Sequence, residues 1–409
     1  MSQPDYMKNT LPNTRTKILK PVCTSHVYPR LSMALCLVLC TFGLSFSVNA
    51  GGSQPNHIIK FDAPGAGTAS GQGTVAFGLN LTGTVVGFFR DANSARHGFL
   101  RFPSGSIITF DDPAAGTCSV NCGAIGNGQG TRGYSINVFG EVAGFLTDNS
   151  AHCHGFVRSP NGTFNQIDAP DAGPGPFPQG TFVSLNTPMG LNAEGAVIGN
   201  YVDANSVQHG FVRSCDGKIT EFDPAGSTFT ETNAIDLLGN IVGFYFDANF
   251  VGYGYLRDPL GNVTVIDAPG ADHTPGNFNG TFCVGVIPTG EIEGVYVDSN
   301  FVLHGFTRSP QGKYTTYNVP AAGTGPGQGT LPESNDDFGD IAGNYFDANG
   351  VSHGFFRNLR RSITTFDVPG GGTSAGQGTV PSDNNDTGMI TGQVIDSNNV
   401  DHGFLVEGL

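Results

Sequence analysis

Beyond residue 50 the sequence has only three lysines, Lys60, Lys218 and Lys313. The chain carries a formal charge of −15; its first fifty residues contribute +4 (Asp5 against five basic residues), so the remainder stands at −19. A body this acidic repels phosphate backbones, which excludes nucleic acid as a partner. Also lacking are a nucleophile elbow, a paired Cys/His zinc spacing and a phosphate loop. Gly-Gln-Gly-Thr recurs at 71–74, 128–131, 327–330 and 376–379. Each copy leads into a strand-like run, without the helix N-terminus that cradles phosphate, so it reads as a turn. The recurring Asp-x-Asn segments lack the further acids and distal Glu of a calcium loop and read as plain turns too. No cofactor and no metal are expected.

Cysteine is sparse, and long apolar runs are limited to one. Residues 31–50, LSMALCLVLCTFGLSFSVNA, follow a basic stretch and end on small residues. This reads as a signal peptide over 1–50, cleaved between Ala50 and Gly51; the alternative is an uncleaved membrane anchor. Cleavage leaves no membrane segment and implies a secreted or periplasmic, cell-envelope location. Five cysteines then remain, Cys118, Cys122, Cys153, Cys215 and Cys283, and an odd count excludes complete internal pairing. Cys118 and Cys122 are the candidate disulfide.

What the chain has in abundance is glycine (61), proline (25) and phenylalanine (31). Glycine and proline at this level oppose long helices, while the apolar content is too high for disorder. Short strands joined by tight turns satisfy both constraints.

An internal repeat organises residues 51–409. His-Gly-Phe occurs at His97, His154, His209, His304, His353 and His402, and Tyr253-Gly254-Tyr255 fills the one gap. The central glycines are separated by 57, 55, 44, 51, 49 and 49 residues. Asp-x-Asn precedes the copies, as at Asp91, Asp203, Asp347 and Asp396, and an apolar alternation ending in an acid follows, as in IITFDDP (107–113). The first unit therefore holds four strand-like runs, at 74–80, 84–89, 97–102 and 106–111, separated by Asx and Gly turns. Four antiparallel strands at this period predict a propeller blade. The last unit ends at Leu409 without its fourth run, whereas the mature chain opens on an orphan fourth run, HIIKFDAP (57–64). The expectation is an all-β, seven-bladed β-propeller of four-stranded antiparallel blades, closed by the N-terminal strand completing the last blade. Such closure removes a free edge.

The order Gly-x-Asn-x-x-Gly, a Gly-bearing strand, then His-Gly-Phe resembles the bacterial extracellular HAF repeat family, named for its His-Ala-Phe core. The resemblance spans roughly residues 57–409, with Gly in place of Ala and no Trp after Phe. It implies secretion and a propeller fold, and it carries no agreed activity or site residues.

A residue repeated in every unit is spread around a ring, so the repeat histidines read as structural. Function is sought where units disagree. The inner runs of units 1, 2 and 5 are apolar and small, but unit 4 has Glu231, unit 6 Glu333 and unit 7 Asp383, with Arg132 in unit 2 matching Glu231. These are the candidate channel residues, converging on a polar ligand or merely solvated beside a wet channel. Phe250, Tyr253 and Phe301 are candidate surface aromatics for stacking on a sugar or a partner. The reading is a monomeric secreted binding module for an extracellular glycan or protein. The alternatives are a propeller-type lyase, lactonase or glycoside hydrolase using channel carboxylates, and a structural envelope protein.

Overall fold

The computed structural model describes residues 57–117, 128–185 and 187–408. The signal segment and the Cys118–Cys122 pair lie outside the described residues. Cys215 is disulfide-bonded, while Cys153 and Cys283 are free and buried.

The described residues contain 28 strands and no helix. In the first unit the strands are Gly73–Leu79 (inner), Val85–Arg90 (second), Arg96–Arg101 (third) and Ile107–Phe110 (outer). Each pairs antiparallel with the next. The same quartet recurs at 130–167, 180–222, 229–266, 281–317 and 329–366. Residues 378–407 supply three more strands, and His57–Phe61 pairs antiparallel with Asp401–Glu407, placing Phe61 opposite Gly403. Inner strands of units 1 and 2, of units 4 to 7 in succession, and of units 7 and 1 lie side by side.

Each repeat mark has a mechanical task. The Phe of His-Gly-Phe, or Tyr255 in its place, is fully buried in all seven copies. The glycine before it makes room for the outer strand: a Cβ at Gly98 would meet the Phe110 ring at 2.2 Å, and one at Gly403 the Phe61 ring at 2.6 Å. The histidine clasps the acid that ends the outer strand, as His97 Nδ1 with Asp111 at 2.9 Å and His154 Nδ1 with Asp168 at 2.8 Å. His402 takes Asp62, 340 residues away in sequence, at 2.9 Å. In unit 4, where Tyr253 replaces the histidine, the crossover residue His273 takes the acid Asp267 at 3.0 Å. The Asp of Asp-x-Asn accepts two backbone N–H bonds of its own turn, from Asn93 and Ala95 at 2.8 Å in unit 1, so these acids are turn-formers.

Units are joined by a backbone bridge that needs glycine. Gly130, Gly329 and Gly378 start inner strands with φ of +121°, +121° and +108° and pair in parallel with Arg96, Leu303 and Ser352 of the preceding unit. A Cβ there would lie 2.0–2.1 Å from the partner's carbonyl oxygen. Thr residues one position later latch the incoming chain, as when Ala63 N–H donates to Thr74 Oγ1 at 2.9 Å and Val319 N–H to Thr330 Oγ1 at 2.8 Å. Unit 4 breaks the rule. Phe229 stands where glycine stands elsewhere, no bridge to Gln208 forms, and the unit is a separate four-stranded sheet while the other 24 strands are continuous. Phe229 cannot take the conformation the bridge demands. The Gln208 side chain spans the seam instead, donating from Nε2 to the Thr230 carbonyl at 3.0 Å.

The bridge glycine is testable against a neighbour. Gly327 also has positive φ (+74°) but open space around its Cβ position. In chemical denaturation Gly327→Ala should cost about 1 kcal/mol, the left-handed backbone penalty alone. Gly329→Ala should cost roughly 3 kcal/mol or more, because backbone must move as well. Equal losses would refute the bridge argument.

Candidate functional site

The channel acids do not form one constellation. Glu231 sits at the seam of units 3 and 4, where Asn200 Nδ2 donates to it at 2.9 Å and Gln208 Nε2 also donates. Burial raises its carboxyl to about 7 against the pull of those two bonds. Asp383 sits at the contact of units 7 and 1 and accepts the Leu79 N–H at 2.7 Å and its neighbour Asn384 N–H at 3.0 Å; burial pushes its carboxyl well up. Glu333 is raised to about 8 by burial alone. No hydrogen bond or ion pair joins any two of the three among the described residues.

Sequence comparison missed a fourth buried acid. Glu293 occupies the second-strand position held by Val86, Ala143, Ile198, Val242, Ala342 and Thr391 elsewhere, and both its carboxylate oxygens are buried without a partner among the described residues. Burial drives its pKa well above the carboxylate range, against the pull of Arg357. Glu293 would have shown itself had second strands been aligned as well as inner ones. Beyond Asp383, acids gather near one end of units 6 and 7, where Asp386 accepts the Asp337 N–H at 3.0 Å and burial raises Asp336 to about 7. Among the described residues no group of three or more His, Cys, Asp or Glu is placed to hold a metal ion.

Arg132 does enter a concave site. A cavity of about 270 Å³ opens at the end of the strands where the inner strands begin, drawing residues from units 7, 1, 2 and 3. Its walls are Phe77, Phe88, Tyr134 and Phe145, and its polar groups are Arg90, Arg96, Arg132, Gln393 and Asp401. Phe77 meets Tyr134 edge-on at 4.7 Å, and the Arg132 guanidinium lies over the Phe145 ring at 4.6 Å, a cation–π contact that fixes its plane. Arg90 pairs with Asp401 at 3.1 Å. Arg96 and Arg132 both donate to the Gly128 carbonyl, at 2.7 and 2.8 Å, and Arg132 also to Thr147 Oγ1 at 3.1 Å. Arg90 and Arg96 flank the first Asp-x-Asn turn, outside the inner-strand comparison that singled out Arg132. An alignment of third-strand starts, Arg96 against Cys153, Gln208, Gly252, Leu303, Ser352 and Asp401, carries the signal.

The aromatic candidates divide. Phe250 is 48% exposed with φ +58°, and its ring is 5.0 Å from that of Phe278, which is 54% exposed with φ +55°. Two exposed phenylalanines held in left-handed backbone are unusual. Tyr253 is half-buried, stacked on Tyr245 at 5.6 Å, and serves the hairpin. Phe301 is exposed at φ +62° but outside the Phe250–Phe278 pair. Phe278, in a crossover segment outside the repeat, was not visible by comparing units.

No protein-family model and no curated protein sequence matches the chain. Solved structures do. The BP39L lectin from Burkholderia pseudomallei aligns with a TM-score of 0.51 at 11% identity, over 81% of this chain and 94% of that one. A puromycin hydrolase aligns with a TM-score of 0.50 at 11% identity over 80% of this chain, which spans about half (51%) of the hydrolase. The β-propeller domain of the Trilobed protease from Pyrococcus furiosus aligns at 0.48 and 8% identity, over 82% and 96%. At these identities the likeness concerns fold alone: the chain is an all-β protein with propeller architecture.

The buried acids set a pH dependence. A group whose folded pKa lies above its unfolded value contributes stability fully below the unfolded pKa and loses it as pH rises through the folded one. Glu231 (to about 7), Glu333 (to about 8) and Asp336 (to about 7) all move this way, as do His97 and His154, raised chiefly by their hydrogen bonds to Asp111 and Asp168. The melting temperature should therefore fall between about pH 4.5 and 8. Glu333→Gln should flatten that fall, and scanning calorimetry across the range would show an unchanged slope if Glu333 is not desolvated.

Proposed function

We propose that this chain is a secreted or cell-envelope binding module, a seven-bladed propeller of the HAF repeat type whose ring is closed by the opening strand. Three unlike contacts support closure: the pairing of His57–Phe61 with Asp401–Glu407, the His402–Asp62 clasp and the Asp383 bond to Leu79 N–H. The disulfide at Cys215 suits an oxidising compartment. The fold likeness to a lectin and a hydrolase chooses between neither.

The observation that favours binding is the separation of the acids from the concave site. Hydrolysis by paired carboxylates needs two of them facing one substrate bond. Here Glu231, Glu333 and Asp383 each keep separate surroundings, and the cavity is lined by guanidinia and rings. A rigid cavity of fixed polar groups and aromatic walls is suited to holding a ligand. An extracellular glycan or a protein bearing an acidic group is the ligand class that fits.

Two measurements test this reading. Screening the purified chain against glycan and protein arrays should give saturable binding with no product formed from bound ligand; turnover of a hit would make it an enzyme. For closure, Phe61→Ala removes a ring packed edge-on to Phe99 at 6.0 Å and should cost about 3–4 kcal/mol. It should also speed backbone hydrogen exchange in both unit 1 and unit 7. Faster exchange confined to residues next to Phe61 would argue for an open ring.

A further inference from the structure

We propose that the cavity between units 7, 1 and 2 binds a hydroxylated ring acid, such as a sugar acid, by seating its carboxylate against Arg96 and Arg132. The inference rests on the binding-module reading and specifies its ligand. The chain as a whole is at −15, yet this cavity gathers three guanidinia and one carboxylate. Asp401 is committed to Arg90. Arg96 and Arg132 are only 7% and 3% exposed, and neither has an acid within ion-pair reach among the described residues. Among the described residues their hydrogen bonds, of 2.7–3.1 Å, go to neutral oxygens.

Burying two unneutralised cations side by side is costly. The strain registers in Arg96, whose pKa is lowered to about 9 by burial first and then by Arg132 and Arg90. In a protein with a surplus of acids, the simple structural answer would have been a second carboxylate. A site that leaves this charge uncompensated is matched to an anion from outside, and guanidinium recognises planar carboxylate through paired N–H donors. From unit 7, Gln393 contributes to the lining a buried Oε1 with no partner among the described residues. That oxygen can only accept, so the ligand should carry a donor such as a hydroxyl. The rings of Phe77 and Tyr134 supply faces and edges for the body of a cyclic molecule, and about 270 Å³ suffices for a single ring.

The test is calorimetric titration of the intact purified chain with D-galacturonate, D-galactose, 4-hydroxybenzoate and inorganic phosphate. Galacturonate should bind, weaken with added salt, and exceed galactose by at least tenfold. Binding of 4-hydroxybenzoate in its place would keep the ring-acid chemistry and assign it to an aromatic source. Galactose binding as tightly as galacturonate, phosphate matching the acids, or failure of both acids would overturn the proposal. Arg132→Gln should cut affinity at least tenfold. Because Arg132 is buried, Gln393→Glu serves as a second variant: a carboxylate placed in the cavity should raise the melting temperature and abolish acid binding. Unchanged acid binding in Gln393→Glu would equally overturn it. If both acids fail while the arrays return another saturable ligand, only this proposal falls; if the arrays return turnover, the binding-module reading falls with it.

Discussion

Everything in this fold hangs on how one unit is seated against the next. Within a unit, four antiparallel strands satisfy each other's backbone groups; between units the ties are side-chain packing, side-chain hydrogen bonds such as that of Asp383 with the Leu79 N–H, a parallel bridge at most seams and a threonine latch. The bridge requires the inner strand to begin so close to its neighbour's third strand that no Cβ fits, and it requires a positive φ. Glycine meets both demands, and the Thr that follows ties down the incoming crossover. The histidine clasp then binds the outer strand to the third strand in six of the seven units, to an acid in five of them and to Asn318 in unit 5. The repeat marks are thus a set of fasteners, each holding a pair of elements that backbone ladders alone leave loose.

That logic explains why so much of the architecture was legible in the sequence. Fasteners recur at fixed offsets, so the six His-Gly-Phe copies, the acid after most outer strands and the Gly-Gln-Gly-Thr turns could be read as one mechanical scheme. The orphan fourth run at 57–64 followed from counting. The expected strands of unit 1 lie within about one residue of those observed. What stayed hidden was whatever depends on register between units. Glu231, Glu333 and Asp383 looked equivalent as acids on inner strands, but they fall at different offsets from the start of their strands, so they face different neighbours. Arg132 was found because it shares an offset with Glu231. Arg90 and Arg96 were not, because they come from the ends of second and third strands and meet Arg132 only once the inner strands of units 1 and 2 lie together.

The two ends of the candidate channel set carry opposite electrostatic problems. On units 4 to 7 carboxyls are desolvated and their pKa values drift upward, to about 7 for Glu231 and Asp336 and about 8 for Glu333. A buried carboxyl of this kind sheds its charge by taking a proton, which is always at hand in water. On units 1 and 2 the buried groups are guanidinia, whose intrinsic pKa is so high that even a drop to about 9 leaves Arg96 charged at neutral pH. The acids can relax by titration; the arginines cannot. Their charge needs a partner, and only Arg90 has a carboxylate one.

Unit 4 shows what happens when the fasteners are exchanged. It has lost the bridge glycine to Phe229 and the clasp histidine to Tyr253, and both losses are made good by side chains from other places, Gln208 across the seam and His273 from the crossover. The same unit carries Phe250 at a left-handed turn position, where unit 6 has Gly350, and its ring meets Phe278 in the open. Three departures in one unit, two of them repaired and one left exposed, set units 4 and 5 chemically apart from the other units. The arginine cavity draws on units 7, 1, 2 and 3, so its charged group and the Phe250–Phe278 pair come from different units. Near-identical units differentiate by such substitutions, and here the enclosed group is polar and charged while the exposed group is aromatic.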